Sequence, residues 1–274
     1  MHGLQSGLKP KNKKPLAESV TGKLTFGYGN AKIVGAHTFG IPSGKTCPGA
    51  RDCKATVVIK DGVKRLIDGP EQEFRCFAAS LEVTFAPLYE MTQRNMRFLL
   101  EAHKHDPEDG MYELLKRDSP RDAEKIRVHT HGDFFNQHYF DAWLRLAQER
   151  PWTLMYAYTK SLPAWVARLE SIPENFVLTA SRGGKYDDMI STYKLREAIV
   201  VDHPIVAEVM GLEIDHDDSH AQRNDGKNFC LLIHGVQKAG SGASEAIKTL
   251  KEANIQFAYG RDKNTSSINN HSKR

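Results

Sequence analysis

Along this chain, runs of apolar and often β-branched residues end in polar ones, and each run is followed by a segment of helical period. The runs cover residues 31–42, 125–133, 153–160, 176–181, 198–202 and 228–235, and a short one at 212–215 reads as a minor extra strand. Residues 87–105 place Leu88, Met91, Asn95, Phe98, Leu99 and Ala102 along one stripe, with Pro87 suited to a first helical turn. Residues 137–150 bring Phe140, Trp143, Leu144 and Ala147 to one face, and 162–171 and 241–254 keep the same period. Strands that are apolar nearly throughout and alternate with amphipathic helices predict parallel βα units covered by helices. Six of them make an α/β fold, either a partial or complete barrel or an open doubly wound sheet.

Both architectures gather functional groups at the carboxyl ends of the strands. The residues expected there are His129, His131 and Asp133, then Thr159 and Lys160, Ser181 and Arg182, Asp202 and His203, the run 215–220, and His234. The loop after the first strand carries Cys47 and Cys53 and opens onto the same edge. Asp61-Gly62 between two β-type runs fits a two-residue type I′ turn, so residues 54–70 read as an inserted hairpin. A hairpin begins and ends in one place, which makes Cys53 and Cys76 neighbours in space. Three converging thiolates suit a metal or an iron–sulfur cluster better than a disulfide, and they leave one coordination position open. Zinc, with a histidine from the same edge as fourth ligand, is the other reading of these residues. Cys230 starts a strand at the opposite end and reads as a packed core thiol.

Composition narrows the class. With 274 residues, 40% hydrophobic content and a net charge of +4, the chain has the size and balance of one large globular domain. No apolar stretch reaches about 18 residues, so no membrane span is expected. The basic N-terminus lacks the hydrophobic segment of a secretory signal. Four unevenly placed cysteines are too few for a secreted disulfide scaffold and point to a reducing cytoplasm. Residues 1–22 and 262–274 are polar and read as a flexible basic arm and a flexible tail around a single domain at 23–261. Nucleic acid or a host protein is an allowed partner for them.

Several candidates carry two readings. Asp215, His216, Asp218 and His220 form either a polar or metal-binding wall or a set of turns and caps. His129 and His131 share one side of a strand, which is either the lumen or the helix layer. Lys160 and Arg182 either clamp a carboxylate or phosphate or pair with Asp133 and Asp202. Gly183 and Gly184 let a ligand approach the backbone closely. Trp143 and Trp165 read as core.

The order of these motifs resembles the radical-SAM type of partial barrel and, more closely, the phage gene product 88 family. The residues that carry the resemblance are the Cys47–Cys53 loop with Cys76, Arg94-Asn95, and the segments 128–143, 156–165, 178–185, 214–221 and 232–241. It spans residues 30–261 and implies a radical-SAM-like partial (β/α)6 TIM-type barrel with a β-hairpin inserted in the cysteine loop. It further implies that Cys47, Cys53 and Cys76 hold a [4Fe–4S] cluster whose fourth iron is open to S-adenosylmethionine or another small ligand. His131, Asp133, Lys160 and Arg182 are then the catalytic candidates. Gly183, Gly184, Asp215, His216, Asp218, His220 and His234 are the cofactor-binding candidates. In two places the chain departs from the radical-SAM pattern. Its cysteine spacing is wide and hairpin-interrupted, and Thr130-His131-Gly132-Asp133 stands where a Gly-Gly-Glu element is expected. Two functional classes follow. One is an enzyme acting through the open iron. The other is a non-enzymatic phage protein, stabilised by a cluster or zinc, that binds a host factor or nucleic acid in the host cytoplasm.

Overall fold

The computed structural model describes residues 16–29 and 33–255. Helix α1 (Leu16–Ser19) leads to strands β1 (Gly27–Tyr28) and β2 (His37–Gly40). A hairpin of β3 (Ala55–Lys60) and β4 (Val63–Asp68) precedes three helices, α2 (Phe77–Thr84), α3 (Ala86–His105) and α4 (Gly110–Asp118). Regular alternation then begins with β5 (Lys125–His131), α5 (Gln137–Glu149), β6 (Leu154–Thr159) and α6 (Leu162–Val166). It continues through β7 (Phe176–Ser181), α7 (Asp188–Thr192), β8 (Glu197–Val201), α8 (Pro204–Met210), β9 (Phe229–Leu232) and α9 (Gly242–Glu252).

The fold is mixed α/β around a mostly parallel sheet. Strand order is β1-β2-β5-β6-β7-β8-β9, and only β1 runs antiparallel to its neighbour. The parallel strands follow one another in chain order without reversal. Right-handed crossovers that all advance in one direction leave their helices on one face. Side chains accordingly divide by parity along β6 and β7. Met155, Ala157, Phe176 and Leu178 join the main core with Leu99, Leu115, Phe140 and Trp143 of α3, α4 and α5. Tyr156 and Val177 point the other way and pack with Ala198, Ala221 and Phe229. This second face is covered by the segment around 215–221 rather than by helices.

Local chemistry explains where the main helices begin. Asn136 caps α5, its Oδ1 accepting from the Tyr139 amide at 2.8 Å, and Pro87 occupies the first turn of α3. Helix α3 buries Thr92, Asn95, Phe98, Leu99 and Ala102, so Thr92 replaces Leu88 and Met91 in the expected stripe. The hairpin has the anticipated turn, with Asp61 at φ 53° and Gly62 at φ 74°.

Elsewhere the elements differ from the sequence pattern. The run 31–42 yields a strand of four residues, because Gly35 at φ 70° turns the chain before His37. The run 212–215 contributes one bridge, Ile214 to Cys230. Helices α2, α4, α7 and α8 are short or weakly patterned and were not expected. Residues 16–22, read as part of an arm, are packed: Val20 is buried in the main core, and Arg117 donates to the Val20 carbonyl at 2.8 Å. Residues 1–15 and 256–274, where the rest of the arm and the tail were read, lie outside the described residues. Among the described residues, no helix is long and apolar enough to cross a membrane.

Candidate functional site

A cavity of about 180 Å³ lies at the carboxyl ends of the parallel strands, bounded by the ends of β5, β6 and β7. Cys47, Cys53 and Cys76 all line it. Arg127, His129, Asp133, Lys160 and Asp218 line it too, with His234 at the end of β9. Phe74, Phe77, Val200, Leu231 and Ile233 make the rest of the wall mostly apolar.

Two backbone approaches set the cysteine loop in place. At Gly49 a Cβ would fall 2.0 Å from the Lys160 carbonyl oxygen, so the loop packs there only because residue 49 is glycine. Lys185 donates its amide to the Gly49 carbonyl at 2.9 Å, and Asp52 donates to the Gly183 carbonyl at 3.0 Å. Gly183, at φ 92°, lies against the Asp52 carboxylate, and Asp187 accepts the amides of Gly183 and Gly184 at 2.8 and 2.9 Å. The glycine pair therefore serves the docking of the cysteine loop and offers no free amide to a ligand. Lys54 ties the loop to itself by donating to the Gly44 and Cys47 carbonyls.

Cys76 reaches the cavity as the N-cap residue of α2, where the nearby amides of Ala78 and Ala79 favour its ionised form. Burial pushes the Cys76 thiol up to about 12, and the charge of Cys53 adds to the effect. Burial also raises Cys47, which is opposed further by Asp133, Cys76 and Cys53. Cys53 is raised by burial, partly offset by the Lys160 ammonium. The three thiols thus feel one another across a common space, and ionising them together requires a cation there. This donor set fits a group held by three thiolates. Among the described residues, however, no three His, Cys, Asp or Glu side chains meet in a group that could hold a metal ion as they stand.

The two strand histidines part company. His129 lines the cavity, with its Nε2 3.1 Å from the Tyr139 hydroxyl. His131 does not line it; its Nδ1 bonds the Thr130 hydroxyl at 3.0 Å and its ring lies against Gly40. The cause is a register irregularity, since Thr38 and Gly40 of β2 pair with Arg127 and His131 of β5. Strict alternation breaks between those pairs, and Thr130 and Gly132 line the cavity in place of His131. Burial and Arg127 lower His129 to about 3 and His131 to about 4, so both imidazoles are neutral at physiological pH.

The expected histidine–aspartate wall is also divided. Asp218 alone reaches the cavity, fully buried, pairing with Arg127 and accepting from the Tyr156 hydroxyl at 3.4 Å. Asp215 is buried behind it, accepting from the Tyr158 hydroxyl and from the amides of Asp217 and Ala221. His220 bridges Glu213 at 2.7 Å and Asp215 at 3.5 Å with its ring against Phe229 and does not line the cavity, and His216 is exposed. The turn reading therefore holds for Asp215, while Asp218 is a cavity residue.

At the strand ends, Asp133 accepts from the Phe134 amide, the Thr159 hydroxyl and the Lys160 amide at 2.7, 2.6 and 2.8 Å. Burial raises its pKa despite these bonds. Lys160 spends its ammonium on the Ser181 and Arg182 carbonyls and the Ser181 hydroxyl. Arg182 pairs with Glu197 at 2.5 Å rather than with Asp133 or Asp202, and it lines a neighbouring cleft instead of the cavity. Cys230 is buried with Val201, Ala207 and Leu232, as its position suggests. Arg127 and Tyr158 were not singled out from sequence. Arg127 had a readable signal, a cation inside an apolar strand at the parity of His129.

Glu82 joins α2 to the cysteine loop, its Oε1 accepting both the amide and the hydroxyl of Ser43 at 2.9 Å. Burial raises this carboxyl to about 7. The group's contribution to stability is complete below its unfolded pKa of about 4.3 and is lost as pH rises to about 7. Glu82→Gln is expected to remove this loss, so the urea midpoints of variant and wild type should diverge by roughly 2–3 kcal/mol in stability between pH 4 and 8. Parallel pH profiles for the two proteins would refute it.

A family model described as Gene product 88 matches residues 6–256. The Gene 88 protein of Mycobacterium phage L5 is 29% identical over 139 residues, 48% of this chain and 51% of that protein. The Gene 88 protein of Mycobacterium phage D29 is 27% identical over 140 residues, covering 48% and 50%. The chain spans about half the length of the curated relatives it matches. No solved structure matches the chain significantly.

Proposed function

The chain belongs to the gene product 88 family of phage proteins, and on that footing we propose that it binds an iron–sulfur cluster through Cys47, Cys53 and Cys76. The observation that carries this reading is the sharing of one cavity wall by three thiols from two separate segments. They line a space rather than meeting at a point, and a polynuclear group spans a wider set of thiolates than one ion does. The unreversed strand order supports a partial barrel of the radical-SAM-like kind, with the cluster at its mouth. A cluster held by three protein thiolates supplies electron transfer and one open iron position when bound.

The chain's own residues prepare the surroundings. Phe74, Phe77 and Ile233 give the cavity apolar walls beside the thiols, the Lys160 ammonium favours ionisation of Cys53, and the Arg127–Asp218 ion pair lines the same cavity. A small ligand at the open position, S-adenosylmethionine among the choices, meets this wall. The protein works in the host cytoplasm on this reading.

Anaerobic reconstitution with iron and sulfide is expected to give brown protein with about four irons per chain and a shoulder at about 400 nm that dithionite bleaches. Cys47→Ser, Cys53→Ser and Cys76→Ser should each lose the colour, while Cys230→Ser should keep it. Incubation of the reduced protein with S-adenosylmethionine and assay for 5′-deoxyadenosine then decides the enzymatic class. A colourless preparation holding about one zinc per chain would sink the cluster. One observation favours that second reading: His234 lines the same cavity, with its Nδ1 held by the Leu232 carbonyl at 2.9 Å. The protein would then be a zinc-stabilised module that binds a host factor or nucleic acid.

A further inference from the structure

Helix α8 turns its apolar side outward. Ile205, Val206, Val209 and Met210 recur at the i, i+1, i+4, i+5 spacing of one helical stripe, yet Ala207 is the residue that the helix buries. Val209 is 83% exposed and Ile205 56%. An amphipathic helix ordinarily spends such a stripe on the core, and a contiguous apolar patch left in solvent marks an interaction surface.

The stripe runs into a cleft of about 410 Å³. Val206 and Met210 line it from α8, Gly242 and Ala243 from the start of α9, and Ile199 and Val201 from β8. Phe74, Val200 and Ile233 line both this cleft and the thiol cavity, which makes them a shared wall. The groove thus lies between two helices over the end of the sheet, a shape into which another helix lays an apolar face.

Charge selects among such helices. The whole chain carries +4, but the acids Asp52, Glu73 and Asp202 line the cleft, and Glu208 flanks the stripe on α8. Asp52 is paired with Arg51, and Arg182 on the cleft wall is paired with Glu197. The exposed carboxylates of Glu73, Asp202 and Glu208 have no ion pair among the described residues. An apolar floor with an acidic rim complements an amphipathic helix whose polar face is basic.

We propose that the groove between α8 and α9 docks a basic amphipathic helix of a partner protein. The apolar face of that helix covers Val206, Val209 and Met210, and its cations meet Glu73, Asp202 and Glu208. The site goes beyond the cluster reading and is independent of whether the thiols hold iron.

Three labelled peptides of about four helical turns separate the terms. One is built of Leu and Lys with a helical period, one has Glu in place of every Lys, and one rearranges Leu and Lys into strict alternation. Their binding to the full-length protein is read by fluorescence anisotropy at low and at physiological salt. The helical Leu/Lys peptide is expected to bind at least about tenfold more tightly than the other two, and to weaken as salt rises. Val209→Lys should lower its affinity about tenfold, by placing a cation in the apolar stripe against a basic ligand. Asp202→Asn with Glu208→Gln should weaken binding and flatten its salt dependence. Trp152→Ala, at an exposed apolar residue ahead of β6 and outside the cleft, should change nothing. Equal binding of the Leu/Lys and Leu/Glu helices, no binding by any peptide, or an equal loss in Trp152→Ala would overturn the proposal. A dimer in sedimentation that Val209→Lys abolishes would overturn it in favour of a second copy of this chain. Binding to neutral phosphatidylcholine vesicles that the same variant abolishes would overturn it in favour of a lipid surface. Circular dichroism checks that Val209→Lys folds, and should it fail to, the salt dependence of Asp202→Asn with Glu208→Gln decides.

Discussion

Asp218→Ala is expected to destabilise the folded chain by about 3–5 kcal/mol, the cost of leaving a buried ionic partner uncompensated. Asp218 has no exposed surface and pairs with Arg127, itself 7% exposed, in the floor of the cavity. Removing the carboxylate also deprives the Tyr156 hydroxyl of its acceptor. Asp218 sits at φ 63°, where a short polar side chain is tolerated and alanine is strained. Urea denaturation at pH 7 measures the loss. The double variant Arg127→Met with Asp218→Asn should recover much of it, because asparagine tolerates this φ and the uncompensated buried charge is gone. An Asp218→Ala protein within about 1 kcal/mol of wild type would mean that the pair is solvated rather than buried.

Asp133→Ala should cost about 3 kcal/mol or more, since one buried carboxylate serves three donors from two strand ends. Phe134 and Lys160 would lose amide partners and Thr159 a hydroxyl partner, all in the closed interior. Asp133→Asn is the milder change, because it keeps the shape but turns one acceptor into a donor facing another donor. The effect should reach the proposed cluster site as well, since the Lys160 backbone held by Asp133 is the surface on which Gly49 of the cysteine loop rests. Thermal unfolding and iron content after reconstitution, taken together, check this. A variant that melts like wild type and loads iron fully would show that Asp133 latches nothing.

How much of this was legible beforehand depends on the kind of signal. The alternation over residues 125–181 was plain, since nearly continuous apolar strands and helices with a 3.6 period have few other solutions. The Asp61-Gly62 turn was equally legible, because both positions need positive φ. That Cys47, Cys53 and Cys76 line one cavity follows from the closure of that hairpin. Short helices such as α2 and α8 carry too few turns to show a period, and β1 pairs over only two residues.

By itself, then, the sequence determined the α/β alternation, the edge of the sheet where polar groups collect, and the three thiols that share one cavity. Tertiary structure decided which polar groups reach that cavity. His131 was lost to it through a register irregularity against β2, which no pattern within β5 announces. Arg182 was diverted to Glu197, and Gly183 and Gly184 to the cysteine loop, because their partners lie far away in sequence or depend on how the loop docks. Arg127, His129 and Asp218 came together only when the segment around 215–221 folded over the inner face of the sheet. Local periodicity fixes which side of an element is apolar. Pairing register and loop docking are long-range choices, and they set which polar atoms meet.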